Sequence, residues 1–316
     1  MKKGISNTVF VVVILVVIAV CVATYFVIDK YLIVEENNVP QNQVSLEPLY
    51  TMENFPKIDA SLATQPLTDA IIANFTGLDT EKIVTNYSNT HPAYVKLIND
   101  EVDLIVVTQP SEEELQMAKD KGIELEVIPV VKEGFVFYVN SKNPVNSLTQ
   151  SQIQGIYSGE IKNWKEVGGE DKAITPYQRP TNSGSQTGML ALVMKDKKLM
   201  TPKKEELVAT MSAIVNLVSQ YNNDMDAIGY SYYYYAKTMY ETIDNNVASN
   251  IKFISIDGIE PSNENIQNGR YPYTTAYYIV INKADAEDSP ARILANHMLS
   301  SRGQQVAESV GYVPVK

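Results

Sequence analysis

The sequence has little cysteine and little histidine, two residue types that often carry chemistry in proteins. One cysteine, Cys21, occurs in 316 residues, so no intrachain disulfide can form. The two histidines, His91 and His297, lie far apart, and no spacing resembles a zinc site or a calcium loop. These shortages exclude a disulfide-stapled fold, and we predict neither a metal ion nor a cofactor.

Positive charge is also scarce. The chain has 26 lysines and arginines against 37 aspartates and glutamates, which gives a formal net charge of −11 and a pI of about 4.8. Nucleic-acid binding needs clustered basic residues, so we expect no nucleic-acid partner. A small anion remains compatible with this charge, because local dipoles and a single arginine outweigh distant, screened charges.

The first thirty residues have the pattern of a membrane segment. Residues 9–28 form a run of 20 residues without a charge, which matches the ~30 Å thickness of a bilayer core. Lys2 and Lys3 precede this run and are expected to stay in the cytoplasm, which places the rest of the chain outside the cell membrane. We therefore predict a retained signal-anchor over residues 1–30 and a polar spacer over residues 31–54.

Two other fates of this N-terminal segment stay open. A signal peptidase could cut after a small residue such as Ala23. Lipid attachment at Cys21 is the second alternative, although Val20 stands where such signals usually carry Gly, Ala or Ser. The uncharged run exceeds the usual ~7–15 residues of a signal-peptide core, which favours the retained anchor.

From about residue 55, helical and strand patterns alternate. Residues 64–77 read as a helix with Pro66 in its first turn and Gly77 as its stop. Residues 101–109 have the continuous apolar run of a buried strand. Such alternation favours an α/β fold with a largely parallel sheet. The other predicted helices are 91–100, 111–122, 147–164, one near 204–221 and one near 289–310, and the other predicted strands are 123–131, 134–140, 251–258 and 273–282.

Residues 178–194, QRPTNSGSQTGMLALVM, concentrate small hydroxyl residues just before an apolar stretch. The start of a helix has unpaired N–H groups and an electropositive dipole end, and small residues let an anion approach closely. Ser183, Ser185 and Thr187 would add hydroxyl donors, and Arg179 would add charged ones. The pattern indicates an oxyanion site, and an ordinary loop with a serine N-cap is the alternative.

Tyrosine is abundant, with 20 residues of this type. Residues 232–235 are four consecutive tyrosines in a segment, 227–240, that we predict to run from a strand or turn into a helix. A helix would distribute these side chains around most of its circumference. We therefore expect them to pack between helices and strands, with their hydroxyls reaching the surface.

Several of these stretches together resemble the phosphate-binding subunits of ABC transporters, in particular those of low-GC Gram-positive bacteria. They are IDASLATQP (58–66), SLTQSQIQGIYSGEIKNWKEVGG (147–169), YQRPTNSGSQTG (177–188), DAIGYSYYYYA (226–236) and GYVPV (311–315). The resemblance covers about residues 50–316. It implies an α/β, two-lobed type II periplasmic-binding-protein fold with mixed sheets, helices on both faces and hinge strands between the lobes. The implied lobes are residues 55–134 plus 273–316, and residues 135–272.

The same resemblance implies a set of residues that bind one oxyanion. Thr64 matches the hydroxyl of the family's first ligand loop, and the third loop matches Arg179 and the residues after it. The full set is Thr64, Gln65, Thr90, Gln109, Arg179, Ser183, Gly184 and Ser185. The resemblance further implies a monomeric receptor, not an enzyme, that captures inorganic phosphate and delivers it to an ABC permease in the membrane.

The sequence departs from the family pattern where the proton of the ligand is recognised. The family typically has an acidic residue near Thr108 and Gln109 that accepts the proton of hydrogen phosphate, and this chain has no carboxylate there until Glu112. Thr181 also stands where an acid often follows the loop arginine. Sulfate or another oxyanion therefore stays open as the ligand.

The second ligand loop departs as well, since Thr90-His91-Pro92 stands where glycines are usual. We interpret His91 as a surface residue at a helix start, with ligand contact in its protonated form as the alternative. A degenerate membrane-anchored sensor or surface protein of the same fold stays open. A serine hydrolase is a third possibility, although neither Ser183 nor Ser185 lies in a G-x-S-x-G motif.

Overall fold

A computed structural model describes residues 50–51, 53–77, 87–220 and 226–316. The predicted signal-anchor over 1–30 and most of the predicted spacer lie outside these described residues. Within the described ranges, no helix has both the length and the apolar character needed to cross a membrane.

The described strands form a mixed sheet and a separate two-stranded pair. They are β1 (Ile58–Ala60), β2 (Leu104–Val107), β3 (Leu125–Asn140), β4 (Ser147–Leu148), β5 (Thr175–Pro176), β6 (Ala227–Tyr232), β7 (Ile251–Phe253), β8 (Ser255–Ile256), β9 (Thr274–Asn282) and β10 (Val313–Pro314). The strand order is β1-β2-β9-β3-β6-β5, with β7 and β10 also paired to β3 and with β4 paired to β8.

Strand directions in this sheet correct the expectation of a largely parallel arrangement. The pairs β1–β2, β5–β6 and β4–β8 are parallel. The pairs that involve β3 or β9 are antiparallel. The long strand β9 returns between β2 and β3 against the direction of both, so the sheet is mixed.

Strand β3 joins the two halves of the sheet. The sequence predicted two strands here, 123–131 and 134–140, yet the buried Glu133 lies between them and one strand continues through it. The strand pairs with β9 as far as Gly134 and with β6 from Phe135 onward. This change of partner coincides with the predicted lobe boundary between residues 134 and 135, and the assignment of residues to lobes stays a prediction.

The described helices pack against the sheet strands. They are α1 (Gln65–Thr76), α2 (Thr90–Ile98), α3 (Glu112–Asp120), α4 (Gln150–Ser158), α5 (Gly184–Gly188), α6 (Met211–Ser219), α7 (Tyr240–Ile243), α8 (Asn245–Ser249), α9 (Asn263–Gln267), α10 (Pro290–Leu299) and α11 (Ser301–Ser309). Short 3-10 turns cover Leu62–Thr64, Trp164–Val167 and Lys204–Glu206, and wider π-helical turns cover Met189–Met194 and Tyr235–Met239.

Helices with clear start and stop signals were predicted correctly. Helix α1 ends at Gly77, whose φ of 64° is the left-handed conformation that glycine adopts without strain. Helix α3 begins with the predicted capping box, in which Ser111 and Glu114 each accept the other's backbone N–H. Both signals are local, so tertiary packing did not have to decide them.

Two predicted helices are wrong in extent. The helix near 204–221 begins only at Met211, because Lys204–Glu206 forms a 3-10 turn and the extended Leu207 then pairs with Gln178, whose N–H donates to Glu206 O at 2.8 Å. The final helix is two helices, since Ser300 has an extended conformation and its side chain accepts the N–H of Gly303 to start α11. A polar cap residue inside an apolar periodic pattern therefore ended one helix and began the next.

Buried tyrosines occupy much of the core. Tyrosines that are at most 2% exposed include Tyr94, Tyr157, Tyr230 and Tyr232. Their hydroxyls do not reach the surface as we expected, because they form hydrogen bonds to backbone or side-chain atoms inside the protein. A buried phenol hydroxyl usually finds such a partner, and these partners come from distant parts of the chain.

Candidate anion-binding site

A cavity of about 420 Å³ lies at the carboxyl ends of several strands. Its wall includes Ser61 after β1, Thr108 after β2, Arg179 after β5 and Tyr232 at the end of β6. Ligand sites in α/β proteins commonly lie at this edge of the sheet, because the loops that leave parallel strands meet there. The remaining wall residues are Leu62, Ala63, Asn89, Thr90, His91, Pro92, Pro180, Asn182, Ser183, Gly184, Ser185, Ala209, Thr210, Met211, Ser212 and Tyr235.

Three chain segments converge at Gly184. A Cβ atom on this glycine would lie 2.5 Å from Thr108 Oγ1 and 2.6 Å from Thr90 Oγ1. The carbonyl oxygen of Gly184 accepts a hydrogen bond from the Tyr232 hydroxyl at 3.0 Å. The backbone of the predicted anion loop is thus held against two threonine hydroxyls from other segments, and only a residue without a side chain fits.

Hydrogen bonds from its backbone N–H hold Arg179 in place. Its N–H donates to the Tyr230 hydroxyl at 2.9 Å and to Gln186 Oε1 at 3.2 Å. The Tyr230 hydroxyl in turn donates to Gln186 Oε1, which closes the triangle. Since Tyr230 is fully buried on β6, this network attaches the loop that follows β5 to the strand beside it.

The guanidinium of Arg179 forms no ion pair with any residue that the structure describes. The residue is only 9% exposed, and its Nε and Nη1 atoms are buried without a hydrogen-bond partner among the described residues. Burial lowers the pKa of the Arg179 guanidinium, and the neighbouring hydroxyls of Tyr230, Tyr138 and Tyr235 oppose part of that shift. Arginine nevertheless stays charged in proteins, so a buried cation is left with unused donors.

The serines of the loop have two different roles. The Ser183 side chain accepts the N–H of Gln186 at 3.2 Å and so caps α5, which is the role that the ordinary-loop alternative gave it. The Ser185 hydroxyl is buried and has no hydrogen-bond partner among the described residues. The loop therefore combines one structural serine with one serine that is available to a ligand.

Three predicted site residues do not line the cavity. The hydroxyl of Thr64 donates to a backbone carbonyl, either Val106 O at 2.5 Å or Ser61 O at 3.0 Å, so its single proton is used. Gln65 begins α1 and Gln109 follows Thr108, and neither contributes to the wall. Thr108 lines the cavity one residue before the predicted Gln109, and Ser61 lines it three residues before the predicted Thr64.

Thr90, Arg179, Ser183, Gly184 and Ser185 are brought together in the wall, as their predicted roles require. Ligand contact by each of them stays a prediction. The wall also contains residues 209–212, which the sequence did not indicate. The helix predicted near 204–221 covered these residues. Thr210 is in fact the N-cap, since its side chain accepts the N–H of Ala213, and a threonine is a usable N-cap signal in a sequence.

His91 lies at a helix start, as the sequence interpretation had it, and it also lines the cavity. Its side chain is 23% exposed and lies in the cavity wall, with Nδ1 3.0 Å from Glu114 Oε1. Glu114 itself is buried and does not reach the cavity wall. Among the described wall residues none is aspartate or glutamate, so Arg179 faces a cavity without a protein anion.

The comparison of the sequence with known families decides the identity of the fold. Residues 57–299 match the description PBP superfamily domain. The chain belongs to this family. The match spans both halves of the sheet, including the crossing strands β3 and β9.

Relatives in the PBP superfamily include curated proteins of staphylococci. The phosphate-binding protein PstS of Staphylococcus epidermidis is 28% identical over 239 residues, which cover 73% of this chain and 70% of that protein. The phosphate-binding protein PstS of Staphylococcus aureus is 26% identical over 237 residues, which cover 73% of this chain and 69% of that protein. 

Solved structures show the same PBP superfamily fold. A phosphate ABC transporter substrate-binding protein from Clostridium perfringens, solved with bound phosphate, superposes with a TM-score of 0.62 at 22% identity and covers 82% of this chain and 98% of that one. A phosphate transport receptor from Vibrio cholerae superposes with a TM-score of 0.60 at 21% identity, with 81% and 98% coverage. The chain therefore has the mixed α/β, two-lobed fold of this family.

Proposed function

We propose that this protein captures inorganic phosphate in the cavity beside Arg179 and delivers it to an ABC importer. The observation that carries the proposal is the buried Arg179 guanidinium, whose Nε and Nη1 have no partner among the described residues. A buried cation without a counter-ion is costly, and a bound anion offsets that cost while it satisfies the free donors.

The surrounding donors support a small tetrahedral ligand. Thr90, Thr108 and Ser185 carry hydroxyls at or beside the point where three segments converge on Gly184. Hydrogen bonds to a charged partner contribute about 1.5–3 kcal/mol each. A few of them are enough for micromolar affinity, about −8 kcal/mol, after the costs of desolvation and ordering.

Relatives support phosphate as the ligand. The staphylococcal proteins that are 26–28% identical are named phosphate-binding proteins. Sulfate or another oxyanion is the second candidate, because the described wall has no carboxylate to repel a fully deprotonated anion. A titration with both ions separates these two candidates directly.

Isothermal titration calorimetry of the full chain with phosphate tests the proposal. We expect saturable binding, and we expect Arg179→Met to weaken it about tenfold or more, which is ~1.4 kcal/mol or more. Arg270→Met is the matched control, because Arg270 is exposed and lies outside the cavity wall. Absence of heat at about 1 mM phosphate would contradict the proposal.

A binding role is favoured over catalysis by family membership, since the PBP superfamily relatives named above are binding proteins. The Ser183 side chain caps α5, which gives it a structural task. A fluorophosphonate probe tests the serine-hydrolase alternative. Labelling of Ser183 or Ser185 would favour an enzyme.

We propose further that residues 1–30 tether the protein to the cell membrane, with the PBP superfamily domain outside and in reach of a permease. The uncharged run over residues 9–28 and the preceding Lys2 and Lys3 support this placement. Membrane fractionation with mass measurement of the N-terminus tests it. A soluble form that begins after Ala23, or a lipid on Cys21, would replace the anchor with one of the alternatives.

Capture of the binding partner distinguishes a transport receptor from a degenerate sensor or surface protein. Crosslinking in whole cells followed by isolation of the protein would recover a permease if the protein serves import. Size-exclusion chromatography with light scattering tests the proposed monomeric state. Recovery of a kinase or no membrane partner would favour the sensor or surface role.

A further inference from the structure

His91 sits in the cavity wall with a buried carboxylate behind it. Its Nδ1 lies 3.0 Å from Glu114 Oε1, and Glu114 is 1% exposed. The other carboxylate oxygen, Oε2, accepts the N–H of Ser111 at 2.7 Å. Both oxygens of Glu114 therefore have fixed partners, and the other ring nitrogen of His91, Nε2, forms no hydrogen bond among the described residues.

The chemistry of the two groups decides which nitrogen carries the proton. A carboxylate accepts hydrogen bonds and has no proton to give, so His91 Nδ1 is the donor in this contact. In the neutral imidazole the other nitrogen, Nε2, then presents a lone pair. An aspartate or glutamate partner on one ring nitrogen fixes the tautomer and the orientation of the ring in the same way at many catalytic and metal sites.

We propose that His91 Nε2 accepts a hydrogen bond from the hydroxyl of bound hydrogen phosphate, so that the site prefers hydrogen phosphate to sulfate. This inference rests on the proposed function. It gives the site a specificity-determining acceptor, and it gives Glu114 the part of a positioning residue that holds the acceptor in its tautomer.

The cationic and hydroxyl donors of the described wall do not distinguish the two ions. The Arg179 guanidinium only donates hydrogen bonds, and the hydroxyls of Thr90 and Ser185 rotate to donate to any oxyanion. Hydrogen phosphate offers a proton to Nε2, whereas sulfate at neutral pH carries none. Sulfate would place an oxygen lone pair against the Nε2 lone pair, with the negative charge of Glu114 beyond the ring.

A site that hydrogen-bonds a ligand hydroxyl discriminates against an analogue that lacks it, because the acceptor then stays unpaired. His91 is partly exposed, so water can reach the unpaired nitrogen and reduce the free-energy cost of leaving it without the ligand's hydroxyl. We expect His91 to raise the ratio of phosphate affinity to sulfate affinity about tenfold, which is ~1.4 kcal/mol.

The main test is calorimetry of the full chain with phosphate and with sulfate at neutral pH. His91→Phe keeps an aromatic ring and removes the acceptor, and it should lower the ratio of phosphate to sulfate affinity about tenfold. His297→Phe is the matched control, because His297 packs beside Phe75 and lies outside the cavity wall. That control should leave both affinities unchanged.

A second variant tests the positioning role. Glu114→Gln keeps the side-chain volume and an acceptor for the Ser111 N–H, since glutamine also serves in capping boxes. We expect the affinity ratio to fall about threefold to tenfold, because an amide fixes the tautomer less firmly than a carboxylate. Glu113→Gln makes the same charge change at an exposed position of α3 and should have no effect.

Nitrogen-15 NMR of histidine-labelled protein reports the tautomer itself. The chain has two histidines, so the His297→Phe control assigns the His91 ring signals. Wild type should show the Nδ1–H tautomer, and Glu114→Gln should shift His91 toward a mixture of forms. A purely structural role of Glu114 would change the melting temperature without moving these signals.

The outcomes separate this inference from the proposed function. Equal losses of phosphate and sulfate affinity in His91→Phe, or no loss of either, would overturn the inference while phosphate binding by the wild type still supports the function. Failure of the wild type to bind either ion would overturn both. A wild-type His91 spectrum of the Nε2–H tautomer would also overturn the inference.

Discussion

Gly184 and Thr108 approach each other so closely that a Cβ atom on Gly184 would lie 2.5 Å from Thr108 Oγ1. This contact brings the segment after β5 against the end of β2 with no room for a side chain. The φ of Gly184 is not in the left-handed region, so the glycine is required by contact distance and not by backbone conformation. The tight approach is what places Arg179 and the threonine hydroxyls around one point.

We predict that Gly184→Ala weakens phosphate binding about tenfold or more, because the added methyl group separates Thr90 and Thr108 from the loop. Calorimetry with phosphate measures the effect. Gly155→Ala is the comparison, since its Cβ would meet the Ile161 side chain and neither residue lies in the cavity wall. Gly155→Ala should lose thermal stability, and its folded fraction should bind phosphate normally.

We predict that Tyr230→Phe weakens phosphate binding several-fold, because the lost hydroxyl is one of two acceptors for the Arg179 N–H. Loss of a buried hydrogen-bond partner also costs about 1–3 kcal/mol of the free energy of unfolding. Tyr157→Phe removes an equally buried hydroxyl that donates to Ile228 O, away from Arg179. If both variants bind phosphate as the wild type does, the network does not position the arginine.

Glu133 gives the protein a predicted pH dependence of stability. The side chain is fully buried on β3, and burial raises its pKa from 4.5 to about 7, although backbone N–H donors from Gly134 and Tyr234 lower it in part. The folded state therefore holds a proton that the unfolded state releases between these two values. The free energy of unfolding should fall as pH rises from about 4.5 to 7 and then level off, by up to about 3 kcal/mol from this group.

Urea unfolding at several pH values measures this contribution of Glu133. Glu133→Gln keeps the acceptor for Gly134 and Tyr234 and removes the titration, so the variant should gain stability over wild type as pH rises. Glu260→Gln is an exposed control that should not change the pH profile. An identical pH dependence in wild type and Glu133→Gln would contradict the raised pKa.

We predict that Gly303→Ala destabilises the protein by about 1–3 kcal/mol or more. A Cβ atom at this position would meet the backbone carbonyls of His297 and Met298, where α11 turns back on the end of α10. Thermal unfolding measures the loss. Gln305→Ala, at an exposed position of the same helix, should leave the melting temperature nearly unchanged.

Local signals in the sequence were enough for much of the fold. Pro66 and Gly77 bound α1, and the capping box at Ser111 begins α3, because these signals act within one turn of chain. The prediction of two strands in place of β3 shows the limit. Charged residues such as Lys132 and Glu133 normally end a buried strand. Only the surrounding tertiary structure keeps the Glu133 carboxyl group in the core.

The candidate site was found in part. The anion loop was visible in sequence because small hydroxyl residues and Arg179 are neighbours in the chain. Ser61, Thr108 and Thr210 were missed or displaced by one step, because their contribution depends on which side chain faces the cavity at a strand or helix end. A one-residue difference changes that direction completely, and a single sequence does not settle it.

By itself, the sequence determined an acidic, disulfide-free α/β chain with a long uncharged N-terminal run and a loop built for an anion. Composition and short-range signals are sufficient for those features, because they depend on neighbours in the chain. Only the tertiary structure decided that Arg179 is buried without a counter-ion in the described part of the chain, that Gly184 touches two threonines, and that His91 has Glu114 behind it. Those relationships join residues 23 to 94 positions apart, and long-range packing alone brings them together.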